Sequence, residues 1–383
     1  GWYKWDYRHE NREPTYRRVN FVWDFLYETV NQANVMLQGL ETSSFSEATR
    51  QAFQAEARAI RAWAYFELVR EFQHTLAANP GAPAVPVYLE PATAASQGNT
   101  RATVQEVYEQ ITSDLEFAVQ HAPPDRLVKS HFNINVVQGL AARVYLEMQE
   151  WEKARDAAIA AREGFPLSPE AYDNGFNDLS NPEWIWAFPQ TADQTVYYGT
   201  PASFWDHFVL GYNNFYINEN LVNQFSDTDV RNLFYQMGEE GFSKYVTTKF
   251  TQREDFADDF VMMRSAEMYL IEAEARAELG NEATAAEVLL QLQQNRDPNA
   301  EASGNTGDDL IDEILMERRK ELYGEFGVHF LDIKRRQLPL ERTGNHPPNF
   351  TFSFPANSER FILKIPQREL DANININDAD QNN

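Results

Sequence analysis

Cysteine is absent from all 383 residues. That removes disulfides, thiol nucleophiles and thiolate metal sites together, without fixing the compartment. Positive charge is scarce: 33 Lys and Arg face 58 Asp and Glu, a formal net charge of −25. So acidic a surface repels nucleic-acid phosphates and anionic lipid headgroups. DNA and RNA are thereby disfavoured as partners, while neutral sugars and peptides stay open. No apolar run approaches the roughly 20 residues of a membrane-spanning helix. The chain opens at Gly1 with no initiator Met and reads as a fragment or processed form, any targeting segment being out of view.

Recognisable reaction motifs are missing as well. There is no glycine-rich phosphate loop, no G-x-S-x-G and no H-E-x-x-H. The histidines His9, His74, His121, His131, His207, His329 and His346 are scattered, none paired with another at metal-ligand spacing. Neither a cofactor nor a metal is expected, and no catalytic residue is assigned. Asp258-Asp259 and Asp308-Asp309 read as solvated loop or helix-start charges in an acidic chain. A glycosidase pair can lie far apart in sequence, so a hydrolase remains an alternative. The stretch Asp371–Asp378 is similar to a calcium loop but lacks its central Gly and closing Glu, which leaves a polar surface tail as the expectation.

What is present is mostly helix. A composition 43% hydrophobic and 24% charged is that of a soluble globular protein with a sizeable core. Ala52, Ala55, Ala59, Ala62, Phe66 and Val69 recur at helical spacing and define one apolar face, with Arg58, Arg61, Glu67 and Glu71 free to face water. A helix over Val22–Leu40 precedes it. A second pair spans Val136–Gly164, where Ala142, Tyr145, Trp151, Ala154, Ala158 and Ala161 follow the small-residue and aromatic pattern of a tetratricopeptide repeat. Arg264–Arg296 and Leu310–Arg336 give a third and a fourth pair. Turn positions Gln149 and Gly280 are 131 residues apart, against a repeat of about 34, so the solenoid is interrupted. The interruptions are residues 74–102 and 165–262, the second with a short strand at Glu183–Pro189. The fold class is therefore mainly α: four tetratricopeptide-like helix pairs in an interrupted solenoid, with an irregular, loop-rich half and a little β. One domain over 1–383 is expected. Its helical scaffold lies at about 20–73, 103–164, 264–296 and 308–336, and a long irregular insert, where function is usually carried, at about 165–262.

Aromatics are concentrated: 13 of the 45 residues from Tyr172 to Tyr216 are Phe, Trp or Tyr. Trp184 and Trp186 alternate in a β-like stretch, which places both on one, inward face. Tyr197, Tyr198, Trp205, Tyr212, Phe215 and Tyr216 sit among Gly, Thr, Pro, Asn and Ser without periodicity. Core packing and stacking on a flat ligand face are both open for them. Near the N-terminus, Trp2, Trp5 and Tyr7 form a smaller group.

Four segments carry a family resemblance: Ala55–Arg70 (AEARAIRAWAYFELVR), which leads to Pro80–Pro86; Arg264–Ala275 (RSAEMYLIEAEA); Glu317–Glu325 (ERRKELYGE) with His329–Arg335 (HFLDIKR); and Ile365–Glu369 (IPQRE) with Asn373 and Asp380-Gln381-Asn382. In order and spread they resemble the SusD/RagB family of outer-membrane nutrient-binding lipoproteins. The departures are Phe326, which looks inserted, His329 where Arg is usual, and the absence of the lipid-bearing Cys. The resemblance implies that the helix pairs support an irregular ligand-binding half, the ligand-binding insert at about 165–262, in a lipid-anchored protein on the surface of a Bacteroidetes outer membrane. It also implies non-catalytic capture of an oligosaccharide or polysaccharide, and delivery to a SusC-like TonB-dependent transporter. Oligopeptide capture and a tetratricopeptide protein-interaction scaffold are the alternatives. Glu317, Arg318, Arg319 and Asp332 are then internal ion-pair and packing residues. Ligand contacts are expected at Trp2, Trp5, Tyr7, Tyr197, Tyr198, Trp205, Tyr212, Phe215 and Tyr216.

Overall fold

The computed structural model describes residues 4–172 and 175–382, the side chains of Lys4, Trp5 and Pro348 excepted. The chain is mainly α, as expected. Its long helices are Arg17–Glu41, Glu47–Phe72, Val104–His121, Ile134–Met148, Trp151–Ala161, Ser265–Glu278, Glu282–Arg296, Gly307–Leu322 and Val328–Arg335. The strands are short and pair antiparallel in twos.

Local chemistry sets the helix ends. The Ser46 side chain accepts the Thr49 N–H ahead of Glu47–Phe72, and Thr103 and Glu106 form a reciprocal capping box ahead of Val104–His121. Ile134–Met148 turns into Trp151–Ala161 at Gln149, which adopts a left-handed φ of 60° where Gly is common. Gly280, at φ 75°, makes the corresponding turn before Glu282–Arg296. The alanine face of Glu47–Phe72 is buried from Ala55 to Val69, with Ala52 half-buried at its start. Its small residues let the first long helix lie along one side and Val104–His121 along the other. Arg61 departs from the expected solvent face. It is buried, bidentate to Asp114 at 2.7 and 2.8 Å, and donates to Asn34 at 2.7 Å.

The strand Trp184–Phe188 pairs with Phe260–Arg264, and its register slips on both sides of Trp186. Both tryptophans are buried, but not on one face. Trp184 packs with Phe176 beneath the loop-rich half. Trp186 packs edge-on against Trp63 and Phe132 in the helical core. The extra residues at the slips rotate the strand between the two, which strict alternation cannot anticipate.

A buried ion network fastens the loop-rich half to the helices. Glu321 accepts from Arg264 at 2.5 Å, Arg231 at 2.8 Å and Arg296 at 2.8 Å. Glu183 pairs with Arg296 at 2.7 Å, and Glu325 with Arg264 and Lys249. Burial alone would raise the Glu321 pKa, but Arg296, Arg264 and Arg231 outweigh it and hold the carboxyl well below its ordinary range. Burial pulls Lys249 down to about 8, opposed by Glu325. Lys249 Nζ also donates to the carbonyls of Glu321 and Tyr323, which pins the strand-end backbone just before Phe250. Glu317, Arg318 and Asp332 are internal ion-pair residues: Glu317 meets Arg231, and Asp332 joins Arg318 to Arg335. Arg319 is half-buried and makes no ion pair among the described residues.

The C-terminal stretch is not a free polar tail. Asn382, 5% exposed, donates to the carbonyls of Phe72 at 2.6 Å and Leu363 at 2.8 Å. Asn373 donates to Asn99 O and Asn375 to Gly98 O, while Arg101 donates to Asp380 O and Asn382 Oδ1. Of the side chains that resemble calcium ligands in sequence, Asn373 and Asn375 donate to backbone carbonyls, and Asp371 and Asp378 accept from the Gln367 side chain.

Candidate functional site

The concentrated aromatics assemble from the backbone outward. Tyr197–Gly199 forms a 3-10 turn, with Tyr197 at a left-handed φ of 50°. Thr200 then caps the short helix Pro201–Trp205 through the Ser203 N–H. That helix projects Phe204 and Trp205. The chain loops over residues 206–216 and returns alongside: Asn213 N donates to Ser203 O at 2.9 Å, and Phe215 N to Phe204 O at 3.0 Å. The return brings Tyr212 and Phe215 into stacking contact with the Phe204 ring, centroids 5.0 and 5.2 Å away and planes within 24°.

The stack continues in both directions. Tyr198 meets Tyr212 edge-on at 5.9 Å, and Phe256 meets Tyr198 at 5.5 Å and Tyr197 at 5.9 Å. On the other side Trp205 meets Phe215 at 5.0 Å and stacks on buried Phe250 at 6.0 Å. A ladder thus runs from Phe256 at the surface to Phe250 in the core, next to the Lys249 anchor. Tyr197, Tyr212 and Phe215 are 61%, 52% and 39% exposed, whereas Tyr198 and Trp205 are half-buried. The exposed rings are presented to solvent by partners that already fix their orientation.

Of the expected contact residues, Tyr197, Tyr198, Trp205, Tyr212 and Phe215 are brought together in this ladder. Tyr216 stands beside it, packed against His207 at 4.6 Å and Phe242 at 5.1 Å, and the His207 ring bonds Phe215 O at 2.8 Å. Tyr7 is elsewhere. Arg342 lies 3.8 Å over its ring, Phe350 and His346 flank it, and burial raises its phenol pKa against the opposing Arg342 charge. Trp2 and the Trp5 side chain lie outside the described residues.

Polar groups line the back of the ladder. Asp206 is buried, its carboxylate accepting the N–H groups of Phe208 and Gln252. The Gln252 side chain is 7% exposed, and neither its oxygen nor its nitrogen finds a partner. A Cβ placed on Gly211 would come within 2.7 Å of Ser203 O and 3.1 Å of Gln252 Oε1, so only glycine lets the loop close over this amide. Asn214 Oδ1 is likewise unpaired. Phe208, Val209 and Leu210 at the loop tip are exposed, and Phe208 meets Tyr235 at 5.5 Å. These features join the ladder to a wider apolar surface of the kind that marks binding sites. Phe204, Phe256 and Gln252 were not anticipated from sequence. Phe204 adjoins Trp205 and was within reach; Phe256 and Gln252 come from a later loop that carries no local signal. Among the described residues no cluster of three or more His, Asp or Glu could hold a metal ion, and no helix is long and apolar enough to cross a membrane.

Comparison with known proteins gives a consistent result. Residues 184–382 match the model of the SusD family, and residues 1–146 match a second model, described as starch-binding and associating with the outer membrane. SusD-like protein P38 of Formosa agariphila is 24% identical, over 88% of this chain and 76% of its own. A SusD-like carbohydrate-binding protein from Bacteroides vulgatus superposes with a TM-score of 0.85 at 28% identity, covering 94% of this chain and 84% of that one. A laminarin-binding SusD-like protein shares the fold at a TM-score of 0.75 and 21% identity, over 98% and 87% of the two chains.

Proposed function

Because the chain belongs to the SusD family, whose model spans residues 184–382, we propose that it captures an oligosaccharide or polysaccharide on the Tyr197–Phe215 ladder. The captured glycan passes to a SusC-like TonB-dependent transporter. The observation that carries this reading is the trio of exposed rings Tyr197, Tyr212 and Phe215, held in fixed orientation by Phe204, Tyr198 and Phe256. Flat apolar ring faces match the C–H face that a sugar presents. Pre-oriented rings lose little side-chain entropy on binding, and that favours affinity for a flexible chain. Family descriptions support the reading: one matched model is starch-binding and outer-membrane-associated, and a structural neighbour is carbohydrate-binding.

The protein acts here as a binder without turnover, held at the cell surface by a lipid anchor. Oligopeptide capture would use the same surface. Titration calorimetry against soluble glycans (laminarin, starch, galactomannan) and a mixed oligopeptide panel separates the two. Glycan binding with no change in the polymer's chain length is the expected result. Binding confined to peptides, or release of shorter sugars, rejects the reading. Co-purification with a TonB-dependent transporter from the native membrane tests the delivery step, and its absence rejects that step alone.

A further inference from the structure

We infer that the ladder site is built for an uncharged glycan and rejects polyanionic ones such as polyuronates and sulfated galactans. The inference rests on the glycan reading above and narrows it to a class of ligand.

Charge in the loop-rich half carries the argument. Residues 165–262 hold fifteen Asp and Glu and only four Arg and Lys. Each of the four cations is already engaged. Arg231 is buried against Asp229, Glu317 and Glu321. Lys249 is buried against Glu325. Lys244 pairs with Glu219 at 3.3 Å, and Arg253 with Asp255 at 3.3 Å. Recognition of a carboxylate or sulfate ester calls for a free guanidinium or ammonium, most effectively a bidentate Arg. An anionic polymer would have to take Lys244 or Arg253 from an existing partner while facing an excess of carboxylates.

None of the polar groups left without partners at the ladder is a cation: they are neutral amides and one carboxylate oxygen, Oδ2 of buried Asp258. Both side-chain atoms of Gln252, a residue more than nine-tenths buried, and Oδ1 of Asn214 lack hydrogen bonds. The Gln252 amide lies beneath the Gly211 loop, so the floor behind the rings carries no positive charge that could hold an anion. Ring faces, neutral amides and an acidic surround together describe a site for hydroxyls and C–H faces.

The test uses the whole chain in affinity electrophoresis and calorimetry. The neutral polymers are laminarin, starch and galactomannan; the anionic ones are alginate and carrageenan, with an oligopeptide panel alongside. Measurements run at about 0.05 M and about 0.5 M salt, which changes the screening length roughly threefold. The expected result is binding of at least one neutral polymer with affinity constant within about twofold across the salt range, and about tenfold or more weaker binding of both anionic polymers. Anionic binding that is tighter than neutral binding and weakens with salt overturns this inference and leaves glycan capture standing. Binding of peptides alone, or of nothing in the panel, overturns the glycan reading and this inference with it. Tyr212→Ala supplies the control for location: it should weaken neutral binding, and unchanged affinity there places the ligand elsewhere and overturns the assignment.

Discussion

Replacing Glu321 tests how the site is held in place. Its carboxylate is fully buried and accepts hydrogen bonds from three guanidinium groups, of Arg231, Arg264 and Arg296. Glu321→Ala leaves those cations short of one counter-charge in a dry interior. Breaking a buried ion pair by removing one partner costs about 3–5 kcal/mol, a large share of the roughly 5–15 kcal/mol that stabilises a domain. At about 2 cal/mol/K per residue the unfolding entropy of a chain this long is roughly 0.8 kcal/mol/K, so the melting temperature should fall by about 4–6 °C. Glu321→Gln keeps the volume and removes only the charge, which isolates the pH term. The Glu321 pKa is held well below its ordinary 4.5 in the folded chain. Its contribution is therefore fully present above 4.5 and is lost as pH falls through the lower, folded value. Where it titrates, one carboxyl contributes a slope of up to about 1.4 kcal/mol per pH unit. Urea unfolding followed by tryptophan fluorescence, from neutral pH downward, should show the wild-type acid slope reduced in Glu321→Gln. An alanine variant within about 0.5 kcal/mol of wild type, or a glutamine variant with an undiminished acid slope, would refute this account of the network.

Three further outcomes follow from the packing. Trp186→Ala empties a site lined by Trp63 and Phe132 and should lower stability in urea by about 3–5 kcal/mol; a change under about 1 kcal/mol would mean the indole is not core. Asn382→Ala removes the donor to the Phe72 and Leu363 carbonyls and should cost about 1–3 kcal/mol, whereas an unchanged urea midpoint would show the C-terminal stretch to be undocked. Burial pushes the pKa values of His9 and His74 down to about 4 from 6.5. The unfolded chain then binds more protons between those pH values, and stability falls on acidification from about pH 6.5 to 4. His9→Phe and His74→Asn should each flatten that stretch of the stability profile, and an unaltered slope in both assigns it to other groups.

The helices were legible because their signal is local. The alanine spacing from Ala52 to Val69 needs only a turn-by-turn reading, and Gln149 and Gly280 mark turns that the backbone makes with φ of 60° and 75°. The burial of Trp184 and Trp186 was legible too, but their separation into two cores was not, since it depends on slips against Phe260–Arg264, far along the chain. Arg61 shows the same limit: its partner Asp114 lies 53 residues away, and helical spacing alone put it in water. At the candidate site, the density of aromatics pointed to Tyr197–Tyr216, and five of those rings do meet in one ladder. Phe256 and Gln252 went unseen because a distant loop delivers them. The C-terminal stretch lies largely at the surface, as its polarity implies, but its anchoring is not legible, because Asn382, Asn375 and Asn373 find their carbonyl partners at Phe72, Gly98 and Asn99, remote in sequence.

The central claim is that the exposed ladder rings bind a glycan. Calorimetric titration of laminarin, or of whichever neutral polymer the panel selects, into wild type, Tyr212→Ala, Phe215→Ala and Trp186→Phe tests it most directly. Loss of one stacking ring should weaken binding by about tenfold, or about 1.4 kcal/mol, in both ladder variants while their urea midpoints stay near wild type. Trp186→Phe, altered only in the core, should bind as wild type does. Equal affinity in all four proteins would contradict the account.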